Sequence, residues 1–181
     1  MNEQSLINQA KEGETSCFSQ LVLLYQKRLY QYLLARCHNS HDAEDVLQDT
    51  FISAYKYIGS YQSKWQFSTW LFTIANRLIK KQHMLYYQEN QQQTPNHTDE
   101  NQHKIDRNNI WFQIKSLLKP EAYDVLWFFY SEELSIKDIA KILQRSQSWV
   151  KISLFRSKKK LANSQNMKRL SKDFLMQGLL L

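Results

Sequence analysis

The chain has 181 residues with 24 Lys and Arg against 17 Asp and Glu, and the net charge of +7 favours a polyanionic partner, nucleic acid or an anionic membrane. Hydrophobic residues make up 43%, enough for packed cores, while three Gly and two Pro argue against a turn-rich β fold and a glycine-lined phosphate loop. Two Cys cannot form a disulfide framework or a zinc site, no apolar run approaches the roughly 18 residues that span a bilayer, and Met1 to Ala10 lacks a signal pattern, so the expected compartment is the cytoplasm, with no metal and no cofactor.

Leu6, Ile7 and Ala10 predict a short first helix. Phe18, Leu21, Val22, Tyr25, Leu29, Tyr32 and Leu33 recur at three and four, which predicts a long second helix ended at Asn39–Ser40. Ser40 is the expected cap of a third helix. Asp42, Glu44 and Asp45 fall in its first turn, where the helix dipole favours acids, and Ala43, Val46, Leu47, Phe51 and Ala54 form its apolar stripe. Gly59 and Ser60 break it. A fourth helix is expected to start at Ser68 or Thr69, with Trp70, Leu71, Ile74, Ala75 and Leu78 inward.

Residues 88–104 read QENQQQTPNHTDENQHK, with Pro95 as the one apolar residue. Such a segment cannot bury surface to offset the entropy of ordering, and it is read as a flexible linker. Beyond it, Ile110 to Leu118 is a predicted helix, and Pro120 suits the first position of the next, with Val125, Leu126 and Phe129 buried. Ser135 and Asp138 form a capping-box variant that opens a short helix with Ile139, Ala140 and Leu143 inward. A turn at Gln144 to Ser146 leads to a last, basic helix with Val150, Leu154 and Leu161 inward, which is helix-turn-helix patterning. The expected fold class is all-α: two small helical domains, 1–87 and 105–163, joined by the linker 88–104 and followed by a tail, 164–181.

Charge is segregated. Between Asp49 and Glu89 there is no acid and there are five bases, Lys56, Lys64, Arg77, Lys80 and Lys81. Between Asp138 and Asp173 there is no acid and there are ten bases. Two such zones suit contact with a nucleic-acid backbone at two places, since each cation near a phosphate releases counterions. Tyr61 and Trp65 lie in the polar loop Gly59 to Ser68, outside a clear apolar period, and are expected to be exposed for stacking on unpaired bases.

These residues carry a family resemblance. Asp42 to Phe51 (DAEDVLQDTF) followed by Phe67 to Asn76 (FSTWLFTIAN) resembles region 2 of bacterial sigma factors of the extracytoplasmic function (ECF) type, and Leu134 to Leu143 (LSIKDIAKIL), continued by Val150, Lys151, Arg156 and Leu161, resembles their region 4. The resemblance implies a promoter-specificity factor with no enzymatic activity and no small-molecule substrate. It implies core RNA polymerase, promoter DNA and an anti-sigma protein as partners. By the same resemblance Asp45, Gln48 and Asp49 meet the polymerase. Tyr61, Lys64, Trp65, Phe67, Asn76, Arg77 and Lys80 serve the −10 element and strand opening. Ser148, Trp149, Lys151, Ser153 and Arg156 lie on the −35 recognition helix. Several positions depart from the family pattern: Gln144 stands where the turn usually has Gly, Ser153 where Arg is common, which removes one guanine-reading contact, Trp149 and Phe155 where small or polar residues are more usual, and Asn76–Arg77 directly after Ala75 where another residue often precedes the Asn. The alternative reading is a stand-alone helix-turn-helix regulator, which explains residues 134–161 but not the DAEDVLQD helix or the aromatic loop.

Cys17 and Cys37 fall twenty residues apart on one predicted helix, about 30 Å at 1.5 Å per residue, too far for a disulfide. For the tail, three readings stay open: packing back on the second domain, docking a regulator, or touching a membrane surface.

Overall fold

A computed structural model describes residues 2–89 and 110–164, apart from the side chains of Tyr87 and Glu89. The chain divides into two compact units, Met1–His103 and Lys104–Leu181. All regular structure among the described residues is helical.

The first unit holds α1 (Glu3–Lys11), α2 (Thr15–Arg36), α3 (Ser40–Tyr57) and α4 (Phe67–Glu89). Helix α1 starts where the Asn2 side chain accepts a hydrogen bond from the Ser5 amide, and it buries Leu6, Ile7 and Ala10. Gly13 follows at φ +101°, a conformation that side chains resist, and lets the chain reverse into α2. Helix α2 turns a face of Leu21, Tyr25, Leu29, Tyr32 and Leu33 inward. Full burial of such side chains contributes about 1.5–3 kcal/mol each for the aliphatic ones. Helices α2 and α3 run antiparallel: Phe18 meets Tyr55 edge to face at 5.1 Å, and the Tyr30 hydroxyl donates to Glu44 Oε1 at 3.1 Å near the other end. Helix α4 lies beside α2 through Tyr25–Phe67 and Tyr32–Phe72 ring contacts at 5.4 and 5.5 Å.

Several helix boundaries differ from the sequence reading, beginning with α2, which ends at Arg36 and not at Asn39–Ser40. Asn39, not Ser40, caps α3, because its side-chain oxygen accepts from the Asp42 amide at 2.8 Å. Helix α4 begins at Phe67, since the Trp70 amide already reaches the Gln66 carbonyl at 3.2 Å, and it continues through Glu89, into the stretch read as linker. The rest of that stretch lies outside the described residues. Trp70 is half-buried, while Leu71, Phe72, Ala75 and Ile79 fill the core.

The second unit holds α5 (Ile110–Leu117), α6 (Pro120–Leu126), a π-helical turn (Trp127–Ser131), α7 (Ile136–Leu143) and α8 (Gln147–Asn163). Pro120 occupies the first turn of α6, where its missing amide costs nothing. Ser135 caps α7 by accepting from the Asp138 amide at 3.1 Å, and the Ser135 hydroxyl in turn donates to the Asp138 carboxylate. Helix α7 ends on Gln144, held in the left-handed region at φ 56°. Ser146 then caps α8 through the Trp149 amide at 3.1 Å. The core gathers Ile114, Tyr123, Leu126, Phe128, Ile139, Val150 and Leu161. Phe129, expected inside, is half-buried.

Candidate protein and nucleic-acid interfaces

The inner stripe of α3 is Ala43, Val46, Thr50 and Ala54. Thr50 is fully buried because its hydroxyl donates to the Val46 carbonyl at 2.6 Å, within the helix. That stripe leaves Asp45, Gln48 and Asp49 exposed on the outer side. They are neighbours at i, i+3 and i+4. Asp45 Oδ2 lies 3.7 Å from His41 Nε2, and both groups are solvent-facing, so this pair holds little energy. Sequence reading missed the apolar continuation of the face: Ile52 and Tyr55, four and seven residues beyond Gln48, are 57% and 45% exposed. The signal was available in principle, because neither fits the stripe that starts at Ala43.

The loop between α3 and α4 is more tightly held than its composition suggests. Ile58–Ser60 forms a turn of 3₁₀ helix, and Tyr61 then enters the core, 5% exposed. Its ring packs against Phe67 at 5.4 Å and Trp70 at 5.6 Å. Its hydroxyl donates to the Trp65 carbonyl at 2.7 Å, and its own carbonyl accepts from Lys11 Nζ at 2.7 Å. Burial, then the nearby Glu3 carboxylate, raises the Tyr61 hydroxyl pKa above its ordinary value, so it stays a donor. The expectation that Tyr61 is exposed for stacking is therefore corrected: its ring is buried against Phe67 and Trp70, with Lys11 Nζ over it at 5.3 Å. Phe67 and Asn76, named for the same role, are 2% and 3% exposed and lie on the inner face of α4. The side chains that do reach the surface are Lys64, half-buried Trp65, Arg77 and Lys80. Arg77 and Lys80 stand one turn apart on α4, with Lys81 also exposed.

At the far end of α4, His83 Nε2 lies 2.9 Å from the Arg36 carbonyl that ends α2. The His38 ring stacks on Tyr86 at 4.0 Å and sits 5.2 Å from the His83 ring. Burial lowers the His83 pKa, opposed by the Arg36 carbonyl bond and assisted by the Arg36 and His38 charges.

In the second unit α8 carries Ser148, Lys151 and Arg156 exposed, with Trp149 and Ser153 half-buried. The Arg145 guanidinium stands over the Trp149 ring at 5.2 Å and pairs with Glu121 at 2.7 Å, fastening the turn before α8 to α6. Two apolar side chains project from the same basic helix, Ile152, which sequence reading left out, and Phe155, which it marked as a departure from the family pattern: Ile152 is 50% exposed and Phe155 68%. Beside them a groove of about 310 Å³ opens between the start of α6 and one side of α8.

Cys17 and Cys37 are both buried thiols, at the start and just past the end of α2. Among the described residues no group of three or more His, Cys, Asp or Glu could hold a metal ion, and no helix is long and apolar enough to cross a membrane.

The sequence profile of the family described as sigma-70 region 2 matches residues 21–84, from α2 to near the end of α4. The ECF RNA polymerase sigma factor SigW of Bacillus subtilis is 39% identical over 85 residues, 45% of this chain and 46% of that protein. Over this alignment the chain spans about half the length of that relative. SigM of the same organism is 27% identical over 149 residues, 78% of this chain and 91% of the relative, so that match runs through both units. Among solved structures, the sigma factor RpoE of Bartonella quintana, crystallised with the anti-sigma factor NepR, shares the fold with a TM-score of 0.68 at 19% identity, over 84% of this chain and 96% of that one. The helices, their order and these relationships agree: residues 21–84 match sigma-70 region 2, and the chain is similar to ECF-type RNA polymerase sigma factors in sequence and in fold.

Proposed function

We propose that the chain binds core RNA polymerase and directs it to promoters through two contacts, one in each unit. The observation that carries this reading is the outer face of α3, where Asp45, Gln48 and Asp49 stand exposed opposite a fully formed core stripe. A free acidic face on an otherwise basic chain suits a basic protein partner, through charge complementarity. The exposed bases then remain for DNA.

In this reading the first unit opens the −10 element. Trp65 offers a face to an unpaired base, and Lys64, Arg77 and Lys80 hold the backbone. Stacking contributes about 1–3 kcal/mol per base, which is of the order of the few kcal/mol that unstacking costs. Strand opening therefore needs no hydrolysis, and no catalytic group is assigned. Tyr61, Phe67 and Asn76 support the loop and helix from inside. The second unit places α8 in the major groove of the −35 element, with Lys151 and Arg156 on phosphates and Ser148, Trp149 and Ser153 toward base edges. The domain assignment, 1–87 for polymerase and −10 and 105–163 for −35, follows the same reading. The compartment is the cytoplasm, where the polymerase works, and the RpoE–NepR complex supports an anti-sigma protein as a further partner.

Gel-shift titration of promoter fragments tests it. The chain alone should bind weakly and with little selectivity, and core polymerase should add selective retention. Tight, selective duplex binding without polymerase would contradict the proposal and favour a stand-alone regulator.

A further inference from the structure

Arg145 stands in the turn before α8, and the backbone there is fixed from both sides. Its amide donates to the Ala140 carbonyl at 3.0 Å, and Ser146 next to it caps α8. The side chain is held more loosely. Its guanidinium lies over the Trp149 ring at 5.2 Å and donates to Glu121 Oε1 at 2.7 Å. Glu121 belongs to α6, 24 residues earlier in the chain. The two side chains of the pair are 46% and 48% exposed. An ion pair this open to water is weak and readily exchanged.

Helix α8 has no acid in its first turn, and its exposed cations Lys151, Arg156, Lys159 and Lys160 follow toward the other end. Glu121 thus brings a negative charge to the end of the helix where helix-turn-helix proteins meet base edges and the backbone beside them. A bare carboxylate there repels phosphates, and Arg145 neutralises it. Two features let the pair part at small cost. Glu121 sits in the first turn of α6, where the helix dipole favours an acid with or without Arg145. A guanidinium suits a phosphate as well as it suits a carboxylate, and a phosphate contact also releases counterions. The exchange moves one side chain and leaves the backbone of the turn in place.

We infer that Arg145 is a further phosphate contact of the second unit, held in reserve by Glu121. In the free chain the carboxylate occupies the guanidinium, and on duplex DNA a backbone phosphate takes its place. The inference rests on the proposed placement of α8 on DNA. Glu121 thereby lowers the affinity for any duplex, and it keeps Arg145 aligned over Trp149 in the free chain.

Anisotropy titrations of the full chain with two fluorescent duplexes of unrelated sequence, over a range of salt, test this, with circular dichroism to show that each variant is folded. Arg145→Ala should weaken binding to both duplexes about threefold or more and reduce the slope of log affinity against log salt by about 0.9. Arg145→Lys should keep the slope, because a phosphate accepts either cation. Glu121→Gln should tighten binding about two- to fivefold, the weight of an exposed ion pair, and that gain should vanish when Arg145→Ala is also present. A gain that persists in the double variant overturns the inference, since Glu121 then acts only by repelling phosphates. No gain, or weaker binding, from Glu121→Gln overturns it too, because the pair then serves only to hold α8. So does a slope unchanged by Arg145→Ala, a slope that Arg145→Lys lowers as much as Ala does, or a loss confined to one duplex. Lys151→Ala separates the two levels. If it lowers the slope and Arg145→Ala does not, only the reserve role of Arg145 fails; if neither does, the placement of α8 on DNA fails with it.

Discussion

The hydroxyl of Tyr61 donates a 2.7 Å hydrogen bond to the carbonyl of Trp65, which ties the second half of the α3–α4 loop to itself. The two aromatics thus divide the work: Tyr61 anchors the loop in the core and Trp65 is presented by it. Tyr61→Phe should cost about 1 kcal/mol, the net value of one hydrogen bond, read as a lower urea midpoint with an unchanged slope. Trp65→Ala should cost less stability and impair opening of a duplex promoter, with partial rescue on a template carrying a pre-opened bubble. Equal defects on both templates would remove Trp65 from strand opening.

Gln144 ends α7 in the left-handed conformation at φ 56°, where a β-carbon is crowded and Gly is at ease. Gln144→Gly should raise stability by about 0.5–1 kcal/mol, the relief of left-handed strain less the extra freedom of an unfolded Gly. Thermal melting of the second unit checks this. No gain would mean that the side chain of Gln144 offsets its own strain.

Local chemistry made much of this fold legible. Ser135, Ser146 and Pro120 act through groups within three residues of themselves, and each was read correctly from sequence. Asn39 and Ser40 are both good caps, and only backbone geometry decides between them. Tyr61 was misread for a different reason. Its neighbours in sequence are polar, and the rings that bury it, Phe67 and Trp70, come from the next helix. Asp124 and Glu132 are 1% and 5% exposed although nothing local marks them as interior. At the candidate surfaces, charge was the visible signal. Ile152 was passed over because apolar residues on a helix are read first as core.

Lys151 and Arg156 are exposed on α8 and are assigned to phosphates. Each change to Ala should weaken binding of the polymerase complex to all promoters alike. Each should also reduce the slope of log affinity against log salt by about 0.9. A loss confined to promoters with a particular −35 base would make that residue a base reader.

His83 has a pKa lowered chiefly by burial where α4 meets the end of α2, with Arg36, His38, Asp42 and Tyr86 around it. A depressed histidine leaves the folded state binding fewer protons than the unfolded one, so the stability it carries is full above the ordinary histidine value of about 6.5 and is lost as pH falls through and below it. The urea midpoint of the first unit should therefore drop on acidification across that range. His83→Gln should flatten the drop. An unchanged pH dependence in the variant would show that His83 is not the group responsible.

The central claim is that the α3 face delivers this chain to RNA polymerase, and run-off transcription tests it most directly. Core polymerase plus the chain should yield discrete transcripts from defined start sites, absent with core alone. Asp45→Ala with Gln48→Ala should lower their yield about tenfold or more at limiting concentration, as loss of a central interface contact does, while circular dichroism stays unchanged because both residues are exposed. Specific transcripts at undiminished yield from the double variant would contradict the assignment of this face, and no chain-dependent start site on any template would contradict the account as a whole.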